Sequence, residues 1–167
     1  MDQDAKKTAL RMIPYGLYVL TAENEQGLVA AAGISWVTQT SFNPTLIVLG
    51  VKQDSLIHQL IKETDTFALN VLAKGQGELA FAFFKPTVRE GQTINGQPFH
   101  SGESGAPILE NVPAFIECEL RESVEIGDHS VFVGEVVNAG LNRTIEGRPD
   151  DTTLWVKDLG ENIFYGG

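Results

Sequence analysis

At 167 residues, with 43% hydrophobic content and a mean hydropathy of −0.04, the chain has enough apolar material for one sizeable core, and it reads as a single domain over residues 1–167. Its formal charge of −10 and pI near 4.6 exclude a nucleic-acid binder, which needs a basic footprint, and a docker on anionic membrane surfaces. The lone Cys118 excludes an intramolecular disulfide and a cysteine-ligated iron site. No stretch has the apolar length of a membrane span or of a signal core, so a cytoplasmic location is expected.

Asp4 to Ile13 carries a helical pattern, with Asp4 as a candidate cap and Pro14 beyond its end. Leu17–Ala22 and Leu28–Ser35 read as strands joined by a hairpin-like connection, Glu23-Asn24-Glu25-Gln26-Gly27. Next comes Trp36-Val37-Thr38-Gln39-Thr40-Ser41-Phe42-Asn43-Pro44, which has no charge at all. Four uncharged hydrogen-bonding side chains (Thr38, Gln39, Thr40, Ser41) stand there between two aromatics. This is either a Thr/Ser-rich edge strand with a closing turn or a loop that wraps a flat, polar-edged aromatic ligand. A loop of that kind offers hydroxyls and backbone N–H groups to the ligand's edge and apolar surface to its faces.

Thr45–Lys52 reads as a strand that passes into a helix, Ser55–Glu63, whose Leu56, Ile57, Leu60 and Ile61 form a stripe at helical spacing. A helix N-terminus exposes unpaired N–H groups and the positive end of the dipole, which favours a phosphate. Lys52 adds a full charge, Ser55 a hydroxyl, and His58 follows on the same face. The plainer alternative is that Asp54 or Ser55 caps the helix while Lys52 is solvated.

Thr66–Leu72 is a further strand. After it, Gly75-Gln76-Gly77-Glu78-Leu79-Ala80 matches G-x-G-x-x-A, but the context of a dinucleotide fingerprint fails. The helix at roughly Gly77–Phe84 meets Lys85-Pro86 after about two turns, and no strand ending in an acid follows about 20 residues on. These glycines read as a tight turn. Residues 85–107 form a long Gly/Pro-bearing connection that holds a solvated His100.

Ala114–Val124 and Ser130–Leu141 are long alternating runs around a Gly127-Asp128 hairpin. Ile116, Cys118 and Leu120 share one face, which makes Cys118 a buried structural thiol. His129 at the hairpin tip is either part of a polar turn or an imidazole presented at a rim. Three histidines without HxH or HxxxH spacing give no metal site. Thr153–Lys157 completes the strands. Short turns between strands favour a closed antiparallel barrel with helices packed outside it, and regular strand–helix alternation is lacking for a doubly wound parallel sheet.

In chain order these segments resemble the flavin reductase-like family of FMN-binding split barrels. Leu17-Tyr18-Val19-Leu20-Thr21-Ala22 resembles its opening strand, Gly33-Ile34-Ser35 into Trp36–Pro44 its flavin-cradling segment, and Lys52-Gln53-Asp54-Ser55 its phosphate region. Phe67-Ala68-Leu69-Asn70-Val71-Leu72 resembles its FxxNxL strand, and the adjoining helix carries Phe81 and Phe84. Gly127-Asp128-His129 with Gly134-Glu135-Val136 is the most specific piece. The cradle segment is also similar to flavin reductase modules of flavodiiron proteins and of rubredoxin fusions. One departure is Pro44-Thr45, where the family often has Pro-Pro.

The resemblance implies a mainly β fold with flanking helices, an FMN-binding split β-barrel of the antiparallel Greek-key type. It implies FMN as cofactor, with FAD possible, bound at a homodimer interface. It further implies NAD(P)H as co-substrate, with hydride passed to flavin N5 and electrons sent on to a protein or small acceptor. By the same resemblance Ser35, Trp36, Val37 and Thr38 line the isoalloxazine, and Gln39 belongs to the same segment. Thr40 and Ser41 face the ribityl chain or phosphate, and Lys52 and Ser55 hold the phosphate. Phe81 or Phe84 supplies an apolar wall, from the partner subunit, and His129 serves the nicotinamide side by steering it or supplying a proton. Two other classes stay open: an electron-transfer flavoprotein reduced by a redox partner protein that docks on the acidic surface, and a non-enzymatic split-barrel ligand-binding module.

Overall fold

The alternating runs of the sequence become eleven strands among residues 1–166, which the computed structural model describes. In chain order the elements are α1 (Gln3–Arg11), β1 (Tyr18–Glu23), β2 (Val29–Ile34), β3 (Val37–Phe42), β4 (Thr45–Lys52) and α2 (Leu56–Thr64). They continue with β5 (Thr66–Val71), α3 (Gly77–Ala82), β6 (Arg89–Glu90), β7 (Thr93–Ile94), β8 (Gln97–Ser101) and β9 (Pro107–Leu109). The last are β10 (Ala114–Val124), β11 (His129–Leu141), α4 (Pro149–Thr152) and a 3₁₀ turn over Val156–Leu159.

Seven strands form one antiparallel sheet in the order β2-β1-β5-β10-β11-β4-β3. Its two edge strands, β2 and β3, are consecutive in the chain and joined only by Ser35-Trp36, so the sheet curls until its edges face one another. The edges do not pair, and the barrel is split along this seam rather than closed. The reason lies on the outer edge of β2. The Gly33 N–H donates to the Phe83 carbonyl at 2.9 Å, and the Thr87 hydroxyl accepts from Ala31 N–H at 2.9 Å and donates to the Ala31 carbonyl at 3.0 Å. An edge whose backbone groups are already satisfied does not recruit another strand.

Alternation along β1 and β2 sends successive side chains to two cores. Leu20, Leu49, Phe67, Leu69 and Phe132 fill the barrel, where the α2 stripe Ile57, Leu60 and Ile61 joins them. Leu17, Val19, Ala31 and Leu72 face outward and are covered by Phe83, Ile94, Phe99, Leu109 and Leu154. Cys118 is fully buried in the barrel core, and burial, reinforced by the Glu117 charge, pushes its thiol up to about 12. Glu117, also buried, holds the turn before β9. Its Oε1 accepts from Ser104 N–H (2.8 Å) and Ser104 O–H (2.6 Å), and its Oε2 accepts from Asn138 (2.7 Å).

The uncharged segment after Trp36 is the edge strand with a closing turn that its composition allowed: β3, whose hairpin to β4 closes at Asn43-Pro44. Other elements differ from the sequence expectation. Residues 85–107 are not a bare loop: β6, β7 and β8 pair with β9 in a second, four-stranded sheet. Thr153–Lys157 is not a strand. Thr153 and Trp155 make single bridges to Ala73 and Gly16, and the chain then winds into the 3₁₀ turn, where Asp158 accepts the Trp155 N–H at 3.0 Å. Asp2, not Asp4, caps α1, accepting from Asp4 N and Ala5 N, and α1 stops at Arg11. No helix is long and apolar enough to cross a membrane among the described residues.

Candidate functional site

The seam opens into a cleft of about 710 Å³, bounded by β2, the end of β4, the start of α2, the 83–86 turn, His129 and the chain's C-terminal segment. At its floor the chain crosses from β2 to β3. Ser35 is 4% exposed, and its Oγ is buried with no hydrogen-bond partner. The Trp36 carbonyl accepts the Gly50 N–H at 2.9 Å, which lays the indole on Gly50; a Cβ there would stand 2.9 Å from Trp36 Cε3. Trp36 Nε1 is likewise buried and unpartnered. Buried polar atoms are almost always bonded, so the orphan Ser35 Oγ in the cleft wall marks a place where a ligand's polar edge belongs, while Trp36 Nε1 lies against Gly166. Phe84 turns a ring edge to the backbone of β2, where a Cβ on Gly33 would come within 2.6 Å of Cε1.

One end of the cleft is cationic. Lys52 ends β4 with its Nζ 3.0 Å from Asp54 Oδ1; both side chains are well exposed, so the pair is a weak tie. Ser55 is the N-cap of α2. Its hydroxyl donates to the Lys52 carbonyl at 2.6 Å and accepts the His58 N–H at 3.3 Å, which leaves the Leu56 and Ile57 amides of the first turn outside the helix's own bonding. Lys85 lines the same cleft. His58 turns away from it into the barrel, bonded to Ser130 Oγ at 2.8 Å and packed 4.9 Å from Phe132; burial holds its pKa below the ordinary value.

Beside Lys52 stands His129, the first residue of β11 and its partner in the ladder. Its Nδ1 lies 2.8 Å from Asp128 Oδ1 and its Nε2 3.0 Å from the Tyr165 hydroxyl. A carboxylate only accepts, so Nδ1 carries a proton, and in the neutral ring Nε2 accepts from Tyr165. The bond from His129 holds the Asp128 carboxyl below its usual range, while burial and then the Asp128 charge raise the Tyr165 phenol. Trp36 packs against both rings, with centroids 4.8 Å from His129 and 5.0 Å from Tyr165.

Of the residues singled out in the sequence, Ser35, Lys52, Ser55, Phe84 and His129 line this cleft, and Trp36 lies beneath its rim. Val37 instead packs toward the barrel core. Thr38, Gln39 and Thr40 are exposed on β3 and Ser41 is half-buried; Gln39 bonds the Ser41 carbonyl at 3.1 Å, and none of the four borders the cleft of its own chain. An extended strand climbs about 3.3 Å per residue, so the β3 hairpin carries them away from Trp36 along the sheet edge. Phe81 is 43% exposed outside the cleft and meets Phe84 edge-on at 5.7 Å.

Sequence reasoning missed Gly33, Gly50, Lys85 and the segment Ile163-Phe164-Tyr165. An apolar and aromatic run, Ile163-Phe164-Tyr165, after the polar Glu161-Asn162 was the available signal for the last of these. A second cleft, of about 760 Å³, lies between the β1–β2 turn and the small sheet; its Arg89 is committed to Glu23 (2.6 Å) and the Gly27 carbonyl (2.9 Å).

Comparison with known proteins shows the family of the chain. The family described as "Flavin reductase like domain" matches residues 10–158. The diflavin flavoprotein A 1 of Synechocystis sp. is 34% identical over 140 residues, covering 83% of this chain but 24% of that protein. The chain therefore spans about a quarter of the length of that relative. The NADH-dependent FAD reductase of Streptomyces globisporus is 33% identical over 132 residues, covering 75% of this chain and 69% of the other. Among solved structures, the NADH:FAD oxidoreductase of Streptomyces globisporus C-1027 superposes with a TM-score of 0.70 at 28% identity, covering 84% of this chain and 85% of that one.

Proposed function

The chain belongs to the flavin reductase like domain family, and on that premise we propose that it is an NAD(P)H-dependent flavin reductase holding FMN, with FAD as a second acceptable flavin, in the seam cleft. The observation that supports this reading is the buried, unpartnered Ser35 Oγ in the cleft wall. A flavin offers carbonyl and ring-nitrogen groups along one edge and flat apolar faces, which suits the Ser35 hydroxyl and the apolar Phe83 and Phe84 in the same cleft wall.

A flavin bound there would supply the redox chemistry, as acceptor of hydride from a nicotinamide. The chain's own groups bind and orient. Lys52, Lys85 and the free amides of the α2 first turn would hold the phosphate, a local positive spot in a chain of net charge −10. Asp128 fixes the proton on His129 Nδ1, which leaves Nε2 to face the nicotinamide and to take or give a proton at the rim. Phe84 and the β2 backbone exclude water from one side. The electrons would go on to a protein or small acceptor.

The exposed groups of Thr38–Thr40 and Phe81, unused by the chain's own cleft, are assigned to a homodimer contact along the β3 edge, where Phe42 is 90% exposed.

The test is direct: the purified protein should show flavin absorbance and bleach anaerobically with NADH or NADPH. Tight FMN binding without bleaching by either nucleotide would overturn the reductase and leave an electron-transfer flavoprotein served by a protein donor. Absence of FMN binding would leave only a split-barrel module for another ligand.

A further inference from the structure

Both ring nitrogens of His129 are engaged, and the partners differ in kind. Asp128 belongs to the same hairpin, whereas Tyr165 reaches back from near the end of the chain. Tyr165 also packs its ring on Trp36, and Gly166 presses its backbone on the indole edge, where a Cβ would stand 3.4 Å from Cζ2 and 3.6 Å from Nε1. The segment carrying them is lightly fastened. Among the described residues, its backbone makes one hydrogen bond, Ile163 N–H to the Gly160 carbonyl at 3.1 Å. Arg11, at the end of α1, sits 4.2 Å over the Phe164 ring. Phe164 and Tyr165 remain 51% and 47% exposed although both border the cleft. Segments with so few backbone bonds open at low free-energy cost.

A nicotinamide is a planar ring bearing a carboxamide that donates and accepts hydrogen bonds. A tyrosine is a planar ring bearing a hydroxyl that does both. Tyr165 offers its ring to Trp36 and its hydroxyl to His129 Nε2, the group of this rim assigned above to the nicotinamide. Resting on the flavin-reductase reading above, we propose that Tyr165 is a self-supplied occupant of the nicotinamide seat, and that residues 163–166 are a strap which lifts before the nucleotide binds.

A site open for only part of the time shows an apparent affinity lowered by that fraction, so loosening the strap raises affinity for the competitor. The variants are Tyr165→Ala, Tyr165→Phe and Arg11→Ala, each measured for FMN affinity by flavin fluorescence and for KM and kcat with NADH and NADPH at saturating FMN. With Tyr165→Ala, KM for the preferred nucleotide should fall about five- to tenfold, on the order of one hydrogen bond and one aromatic contact, while the FMN Kd stays within about twofold. Tyr165→Phe keeps the ring and should give a smaller fall. Arg11→Ala, which loosens the strap from outside the rim, should lower KM by about twofold.

A KM that rises or does not change in Tyr165→Ala while FMN still binds overturns the strap and leaves the flavin reading intact. If the wild-type chain and all three variants fail to bind FMN, the flavin reading falls and the strap with it.

Discussion

Replacing Ser35 by Ala separates the stability of the protein from its affinity for a ligand, because the two should move in opposite directions. The residue is 4% exposed and its hydroxyl has no partner. A buried hydrogen-bonding group left unsatisfied costs about 1–3 kcal/mol. Deleting the oxygen relieves that cost and opens a void that returns roughly 0.3–0.5 kcal/mol. The net gain for the ligand-free protein is about 1–2 kcal/mol, and for a chain of this size each kcal/mol moves Tm by about 2–4 °C. Ser35→Ala should therefore melt roughly 2–8 °C higher in thermal unfolding without flavin. Loss of one neutral hydrogen bond should meanwhile weaken FMN binding about two- to twelvefold in a fluorescence titration. A ligand-free Tm that drops by several degrees would mean that the hydroxyl is bonded in the resting protein, and an FMN affinity that does not move would remove Ser35 from the site.

Gly134→Ala should destabilise by about 1–3 kcal/mol in urea unfolding. Its new Cβ would stand 2.5 Å from Phe67 Cζ and 3.1 Å from Cys118 Cβ, both in fully buried side chains. An unchanged midpoint would show the barrel interior to be looser than described. Lys52→Ala should weaken FMN by about 1–3 kcal/mol and leave riboflavin, which lacks the phosphate, unaffected; equal losses for both would place Lys52 elsewhere.

Glu117 predicts an acid limb. Burial raises its carboxyl, but the bonds from Ser104 and Asn138 outweigh that and hold it below the ordinary range. A depressed folded pKa contributes stability that is complete above the unfolded value near 4.3 and lost as pH falls through the folded value. Glu117→Gln should flatten that acid limb of the unfolding midpoint, and an identical limb in both proteins would refute it.

The sequence made the barrel readable where side chains alternate between two environments. β1, β4, β5, β10 and β11 each bury one face at least, and their apolar periods survive in the residue order. β3 left no such trace. Thr38 to Thr40 are exposed on both faces, and they are extended because β4 offers an unpaired edge, a cause located in another strand. The second sheet escaped notice for a similar reason: β6 and β7 are two residues each, too short to hold a period.

At the site, Lys52 and Ser55 were legible because a strand that runs into a capped helix is a local event, and His129 because it sits at a hairpin tip. Tyr165 was not, since nothing near it in the chain says that Trp36 and His129 lie underneath. Gly33 and Gly50 matter through rings from distant segments that rest on them, which no local pattern records.

The Thr87 hydroxyl stands where a neighbouring strand would otherwise be, serving both backbone groups of Ala31 with a single oxygen. A ladder offers rung after rung and so invites the next strand to zip along it; one hydroxyl fills a single rung and offers nothing beyond. The seam is thereby propped like a door on a wedge. That threonine does not itself border the cleft, and exchanging it for valine would leave both backbone groups of Ala31 unserved on this edge without touching any group that meets the occupant.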